Sequence, residues 1–217
     1  MRVRTAGDTL LLVEWDAAID PEVNRRVIAV AERLRRRVRR GVRDIVPAYR
    51  SIGIHYDPLL TDLPALERVI AEEASHEVDA AADGETRLVE IPVRYGGRHG
   101  PDLQSVAEWA GCSTAEVVER HAGRVYRVYM LGFVPGFAYL GRVDPSIAAP
   151  RRRVPRDRVP RGAVGIGGEQ TAVYPAATPG GWQLIGQTSL VMFEPGREQP
   201  SLLRPGDCVR FIPVDEG

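Results

Sequence analysis

From Val125 onward the chain is a succession of short β-rich pieces: YRVYMLGF (126–133), VGIGG (164–168), TAVYP (171–175), WQLIGQT (182–188), LVMFEP (190–195) and DCVRFIPV (207–214). Glycine and proline punctuate them, and no apolar stripe of helical period runs through them. Many short strands of this kind bury their apolar residues by closing on one another. The second half of the chain is therefore expected to form a closed or partly closed β-barrel.

The first half reads differently. DTLLLVEW (8–15) has the character of a strand. Asp20-Pro21 supplies an N-cap followed by proline at the first helical position. Val23, Val27, Val30, Leu34 and Val38 then recur at spacings of three and four, one apolar stripe on a helix of about five turns that Gly41 stops. The arginines at 35–37, 39 and 40 fall mostly off that stripe and read as a solvated face. VRDIVPAYRSIGIHYDP (42–58) reads as a strand pair interrupted near Pro47. Asp62 caps a second helix that buries Leu63, Leu66, Ile70 and Val69, and 76–86 is a polar loop. This β-α-β-β-α order describes helices layered on a small sheet.

RLVEIPVRY (87–95) is a further strand and GGRHGPD (96–102) a turn. Asp102 is placed to cap the helix LQSVAEWAG. Ser113-Thr114-Ala115-Glu116 forms a capping box for the next helix, whose Glu116, Glu119, Arg120 and His121 read as a mixed surface. The expected architecture is α+β: a small α+β domain over 1–86, then a barrel domain over 87–217 with a helical insertion near 102–122.

Composition narrows the function classes. The 217 residues suffice for one large or two small domains, and 44% apolar with 27% charged residues is ordinary for a globular protein. Formal net charge is zero, which argues against nucleic acid as a partner. No apolar run is long enough to span a membrane, and the N-terminal apolar patch reads as a strand, not a signal peptide. Cys112 and Cys208 stand in no metal or redox spacing, so reduced thiols in a cytoplasmic protein are expected. All 29 basic residues are arginine. Without lysine the chain can form no Schiff base and offers no P-loop lysine. Carboxylates or phosphates must be held by arginine, by backbone N–H groups or by a partner chain.

There is no G-x-S-x-G, no H-E-x-x-H and no metal-spaced cysteine pair. Of the histidines at 55, 76, 99 and 121, His55 is the best placed for chemistry, at a strand end beside Tyr56 and Asp57. GIGGEQ (165–170) approaches a dinucleotide-binding spacing but no helix follows it. Gly167 and Gly168 could present backbone N–H groups to an anion, or simply form a bulge or barrel corner. Arg151, Arg152, Arg153, Arg156, Arg158 and Arg161 alternate with Pro150, Pro155 and Pro160. Proline excludes a helix there. The segment is either a plain surface loop or an anion-binding edge beside the glycine turn.

GFVPGFAYLGRVDP (132–145), PRRRVPRDRVPRGAVGIGGEQTAVYP (150–175) and TPGGWQLIGQT (178–188) together resemble the family of the 5-oxoprolinase B-type subunit, also called allophanate hydrolase subunit 1, which includes a sporulation histidine-kinase inhibitor. VPAYRSIGIHYDP (46–58), IPVRYGGRHGPDL (91–103) and LLRPGDCVRFIPV (202–214) are similar to its other landmarks, so the resemblance covers nearly the whole chain. It implies a cyclophilin-like barrel. It also implies a heteromeric ATP-dependent amide or lactam hydrolase, in which the partner resembles the C-type subunit of 5-oxoprolinase and a third component joins them. ATP with Mg2+ and a small-molecule substrate are the implied ligands, and no resident metal site is expected. On this basis Glu169, Gln170, Thr171 and Tyr174 are the catalytic candidates. Pro135, Gly136, Phe137, Tyr139, Arg151, Arg156, Gly167, Gly168, Gly180, Gly181 and Trp182 are the substrate or nucleotide candidates. Three positions depart from the family pattern: Arg142, Glu169 and Ala172 stand where glycine or another small residue is expected. Two other roles stay open. One is a kinase-inhibitor module gripping a proline-containing segment between Phe133, Phe137, Tyr139 and Trp182. The other is prolyl isomerisation, suggested by barrel type alone.

Overall fold

The computed structural model describes residues 1–15, 20–38, 40–76 and 87–215 and separates into two compact units, Met1–Glu85 and Thr86–Gly217. The first contains β1 (Arg2–Thr5), β2 (Leu10–Glu14), α1 (Pro21–Arg37), β3 (Val42–Pro47), β4 (Ser51–Tyr56) and α2 (Leu63–Ser75). Its sheet is antiparallel in the order β1-β2-β4-β3. The leading strand β1 was not expected. It has no apolar alternation of its own and owes its place to pairing with β2, Arg2 opposite Glu14.

Alternate residues of the sheet, Leu11, Val13, Ile45, Ile52 and Ile54, meet Val27, Val30, Ala31 and Leu34 of α1 and Leu66, Ile70 and Ala74 of α2. Leu63 and Val69 are only partly buried. Both expected caps form: Asp20 accepts from the N–H groups of Glu22 and Val23, and Asp62 from that of Ala65. Arg35, Arg36 and Arg37 at the end of α1 are exposed, as expected of a solvated face, and two of them also brace the unit. Arg35 donates to the Ile45 carbonyl at 2.5 Å, and Arg37 bridges Glu72 and Glu73 of α2. The Arg37 hydrogen bond holds the Glu73 carboxyl below its ordinary range.

The second unit is a closed seven-stranded barrel in the order β10-β7-β6-β13-β5-β12-β9. Its strands are β5 (Leu88–Tyr95), β6 (Val125–Leu131), β7 (Ala138–Gly141), β9 (Ala163–Gly167), β10 (Gln170–Val173), β12 (Gln183–Gln187) and β13 (Cys208–Pro213). β8 (Arg156–Val159) and β11 (Thr178–Gly180) pair with each other as a separate ribbon. Helices α3 (Leu103–Ala110) and α4 (Thr114–Ala122) lie between β5 and β6, and the Ser113–Glu116 capping box is present.

Period-two alternation divides the barrel residues between two cores. Leu140, Val164, Ile166, Val173 and Ile185 point inward, where they join Val106, Ala107 and Val117 of the helices. Phe137, Ala163, Ala172, Tyr174, Trp182 and Leu184 point outward and form a second cluster on the barrel wall, which Val159 of β8 helps to cover.

His121 corrects the reading of α4 as a mixed surface, because it is fully buried in the barrel. Its ring stacks on Phe211 with centroids 4.6 Å apart. Its Nδ1 lies 2.8 Å from Tyr95 Oη and its Nε2 lies 2.9 Å from Thr171 Oγ1. Burial pushes its pKa from 6.5 down to about 3. The sign follows: below pH 6.5 the unfolded chain takes a proton that the folded chain refuses, so stability falls with pH. Between pH 7 and pH 5 the wild-type chain is expected to lose about 2 kcal/mol more unfolding free energy than His121→Gln. Urea titrations at the two pH values check this, and parallel losses in both chains would contradict it.

Candidate functional site

Several of the residues singled out from sequence converge in the outward cluster. Phe137 is at its centre, 2% exposed, with edge-to-face partners Tyr139 at 4.9 Å, Tyr174 at 5.2 Å and Trp182 at 5.6 Å. Phe133 stands at its edge, 5.4 Å from Phe137 and 60% exposed. On the other side the Arg151 guanidinium carbon lies 5.5 Å from the Trp182 ring centroid, and Arg151 is exposed. The result is an aromatic wall with a cation over one end. The central rings are buried against one another, and the parts of the cluster open to a ligand are the Phe133 ring at one edge and the Arg151 guanidinium at the other.

Chain geometry explains why the rings can sit there. A Cβ on Gly167 would come within 2.7 Å of the Trp182 ring, so only glycine lets the indole lie flat on β9. Tyr174 lies against Gly180 of β11, where a Cβ would meet its oxygen at 2.5 Å. Burial raises the Tyr174 pKa, partly offset by a hydrogen bond from the Trp182 backbone. Thus the TPGGWQ segment forms a strand edge and a ring seat: Thr178 and Gly180 pair with Val159 and Arg156 of β8.

The arginine segment divides in two. Asp102, 4% exposed, accepts from Arg152 at 3.2 Å, from Arg156 at 2.6 Å and from the Leu184 backbone N–H at 2.6 Å. The expected side-chain cap on α3 is absent, because the Asp102 carboxylate is spent on these three donors. Arg156 is therefore an anchor of β8, while Arg151, Arg153, Arg158 and Arg161 are exposed.

The other candidates fall outside the wall. Thr171 points inward and meets His121 inside the barrel. Gln170 starts β10 opposite Gly141. Gly168 is in the left-handed region at φ 66 and its N–H is given to the Ala149 carbonyl at 2.8 Å. Glu169 and Arg142, both departures from the family pattern, form an ion pair at 3.6 Å across this exposed turn. With an N–H engaged, the indole over Gly167 and Glu169 turned to Arg142, the glycine turn does not fit a phosphate cradle. Among the described residues no group of three or more His, Cys, Asp or Glu side chains is placed to hold a metal ion. Pro135 and Gly136 shape the loop before Phe137, and Gly181 lies beside Pro155. His55 is an exposed residue of β4 in the first unit. A cavity of about 490 Å³ in that unit, lined by Arg37, Leu60, Leu66 and Val69 among others, contains none of the candidates.

Asp102 and His121 are the residues whose importance the sequence concealed. Asp102 was legible only as a helix cap, and His121 only as one of four scattered histidines.

The family described as "Carboxyltransferase domain, subdomain C and D" matches residues 1–203. A protein of Escherichia coli O157:H7, named as the B-type subunit of 5-oxoprolinase, is 45% identical over 212 residues, 97% of this chain and 95% of that protein. One of the same name from Bacillus subtilis is 41% identical over 224 residues, 99% of this chain and 93% of its own length. The crystal structure of TTHA0988 superposes with a TM-score of 0.85 at 39% identity, covering all of this chain and 41% of that one. This chain thus spans about two fifths of that solved protein.

Proposed function

Because this chain belongs to the family of the 5-oxoprolinase B-type subunit, within the carboxyltransferase domain, subdomain C and D, family, we propose that it serves as one subunit of an ATP-dependent 5-oxoprolinase. The reaction is 5-oxo-L-proline + ATP + 2 H2O giving L-glutamate + ADP + phosphate. The observation that carries this reading is the near full-length likeness to two proteins of that name. ATP, with Mg2+, is a co-substrate of the assembly, and no residue of this chain is assigned to it.

The reaction suits what the chain offers. A lactam carbonyl resists attack because amide resonance must be lost. Phosphoryl transfer from ATP to the amide oxygen would make the ring carbon electrophilic. Water adds there, the C–N bond breaks with the nitrogen taking a proton, and a second water splits the resulting acyl phosphate into carboxylate and phosphate. Positioning and charge stabilisation therefore matter more than a strong nucleophile. The buried aromatic cluster fixes the position of Trp182 beneath Arg151. Arg151, held over Trp182, can take the substrate carboxylate by charge-assisted hydrogen bonds. Burial keeps the Tyr174 hydroxyl protonated at neutral pH. The chain supplies binding and orientation, and the site is completed by the second subunit.

Substrate identity is tested on the reconstituted assembly of this chain with its second subunit and third component. ATP hydrolysis is expected to rise with 5-oxoproline and to stay at background with allophanate. Stimulation by allophanate alone would move the assignment to an allophanate hydrolase.

A further inference from the structure

Three arginines stand in a row at 151–153, and the fold treats each differently. Arg152 is tied to the buried Asp102, whose carboxylate accepts from its Nη1 at 3.2 Å. Arg153 is exposed. Arg151 lies over Trp182, its guanidinium carbon 5.5 Å from the ring centroid. The indole beneath it is itself fixed, because it lies on Gly167, where a Cβ would come within 2.7 Å of the ring. An exposed arginine samples many rotamers. One that must receive a carboxylate at a set place therefore gains from being held there before the ligand arrives.

The chain on either side of Arg151 is fastened to the stretch that carries Trp182. Ahead of it, the Pro150 carbonyl accepts from Gln183 Nε2 at 2.9 Å. Behind it, the Arg152 N–H donates to the Gly181 carbonyl at 2.7 Å. Residues 150 and 152 thus meet 183 and 181, and Arg151 is held opposite Trp182 between the two bonds. The bond behind is backbone to backbone and open to any residue with an N–H. The bond ahead needs a side-chain donor of the right length at 183, because Pro150 has no N–H and offers only its carbonyl. Gln183 is in turn seated by the barrel, where it begins β12 opposite Ile166 of β9.

We propose that Gln183 is a positioning residue for the substrate carboxylate: by holding the Pro150 carbonyl it sets the backbone from which Arg151 reaches over Trp182, without touching the substrate itself. The role rests on the reading above, in which Arg151 takes the carboxylate of 5-oxoproline. That carboxylate takes no part in the bonds made and broken. Holding it strengthens binding of the ground state and the transition state alike, so the role belongs to KM and not to kcat.

The test is a double-mutant cycle on the complete assembly, read as KM and kcat for 5-oxo-L-proline. Arg151→Ala is expected to raise KM about 30-fold, the scale of a hydrogen bond between charged groups. Gln183→Leu keeps the bulk and loses the donor. It is expected to raise KM about fivefold with kcat unchanged, the scale of one neutral hydrogen bond. In the Arg151→Ala background the same change is expected to add nothing, because the group it positions is gone. A fivefold rise in both backgrounds, or in neither, would overturn the positioning role while leaving Arg151 its carboxylate. An unchanged KM in Arg151→Ala would overturn the role and the carboxylate assignment together, with the subunit reading intact. No turnover of 5-oxoproline by the wild-type assembly would overturn the subunit reading and the role with it.

Discussion

Asp102→Ala is expected to lower the unfolding free energy by about 3 kcal/mol. The carboxylate is 4% exposed and accepts from Arg152, Arg156 and the Leu184 N–H. Its removal leaves a buried backbone donor without a partner and releases the cations that fasten β8 to the barrel. The side chains of Arg152 and Arg156 are 38% and 23% exposed. Both can turn to water, so the loss belongs at the lower end of what breaking a buried ion pair costs. Asp102→Asn keeps an acceptor for Leu184 without the charge and should fall between alanine and wild type. Urea unfolding with an unchanged m-value checks both variants. A loss below about 1 kcal/mol for alanine would mean that the arginine segment is held by other contacts.

Gly180→Val is expected to abolish turnover by the complete assembly while leaving the chain folded. The first atom of the new side chain would fall 2.5 Å from Tyr174 Oη and 2.9 Å from its ring carbons. Tyr174 is 2% exposed and packed against Phe137, so it must be pushed off its seat. Overpacking of this kind costs about 1–3 kcal/mol, within what a folded domain tolerates. The displaced ring disturbs the aromatic wall directly. A folded Gly180→Val chain that supports full turnover would reduce this stretch to scaffolding.

The barrel was legible because its strands are short and β-rich, are punctuated by glycine and proline, and carry no helical stripe. Leu140, Val164, Ile166 and Val173 fall on one face at period two, and Gly/Pro turns separate the runs. The helices were legible through their caps and the stripe of Val27, Val30 and Leu34. β1 was not, because RVRT offers only Val3 to the core and is a strand by virtue of its pairing with β2. The aromatic wall was legible in part. Phe137, Tyr139, Tyr174 and Trp182 were all singled out, and the fold brings them together. Thr171, adjacent in sequence to Gln170 and Ala172, was grouped with them although the pleat sends it to the opposite face. Local sequence could not reveal Asp102, whose partners lie 50, 54 and 82 residues away. Likewise His121 meets Thr171 from 50 residues away, and no spacing rule reports a contact made across a closed barrel.

On the proposed function this chain is a working subunit of a 5-oxoproline-cleaving assembly. The most direct measurement is release of L-glutamate and phosphate from 5-oxo-L-proline and ATP by the complete assembly, with and without this chain. The account predicts one phosphate per glutamate when the chain is present and no glutamate when it is omitted. Glutamate release at the same rate without the chain, or none with every component present, would contradict it.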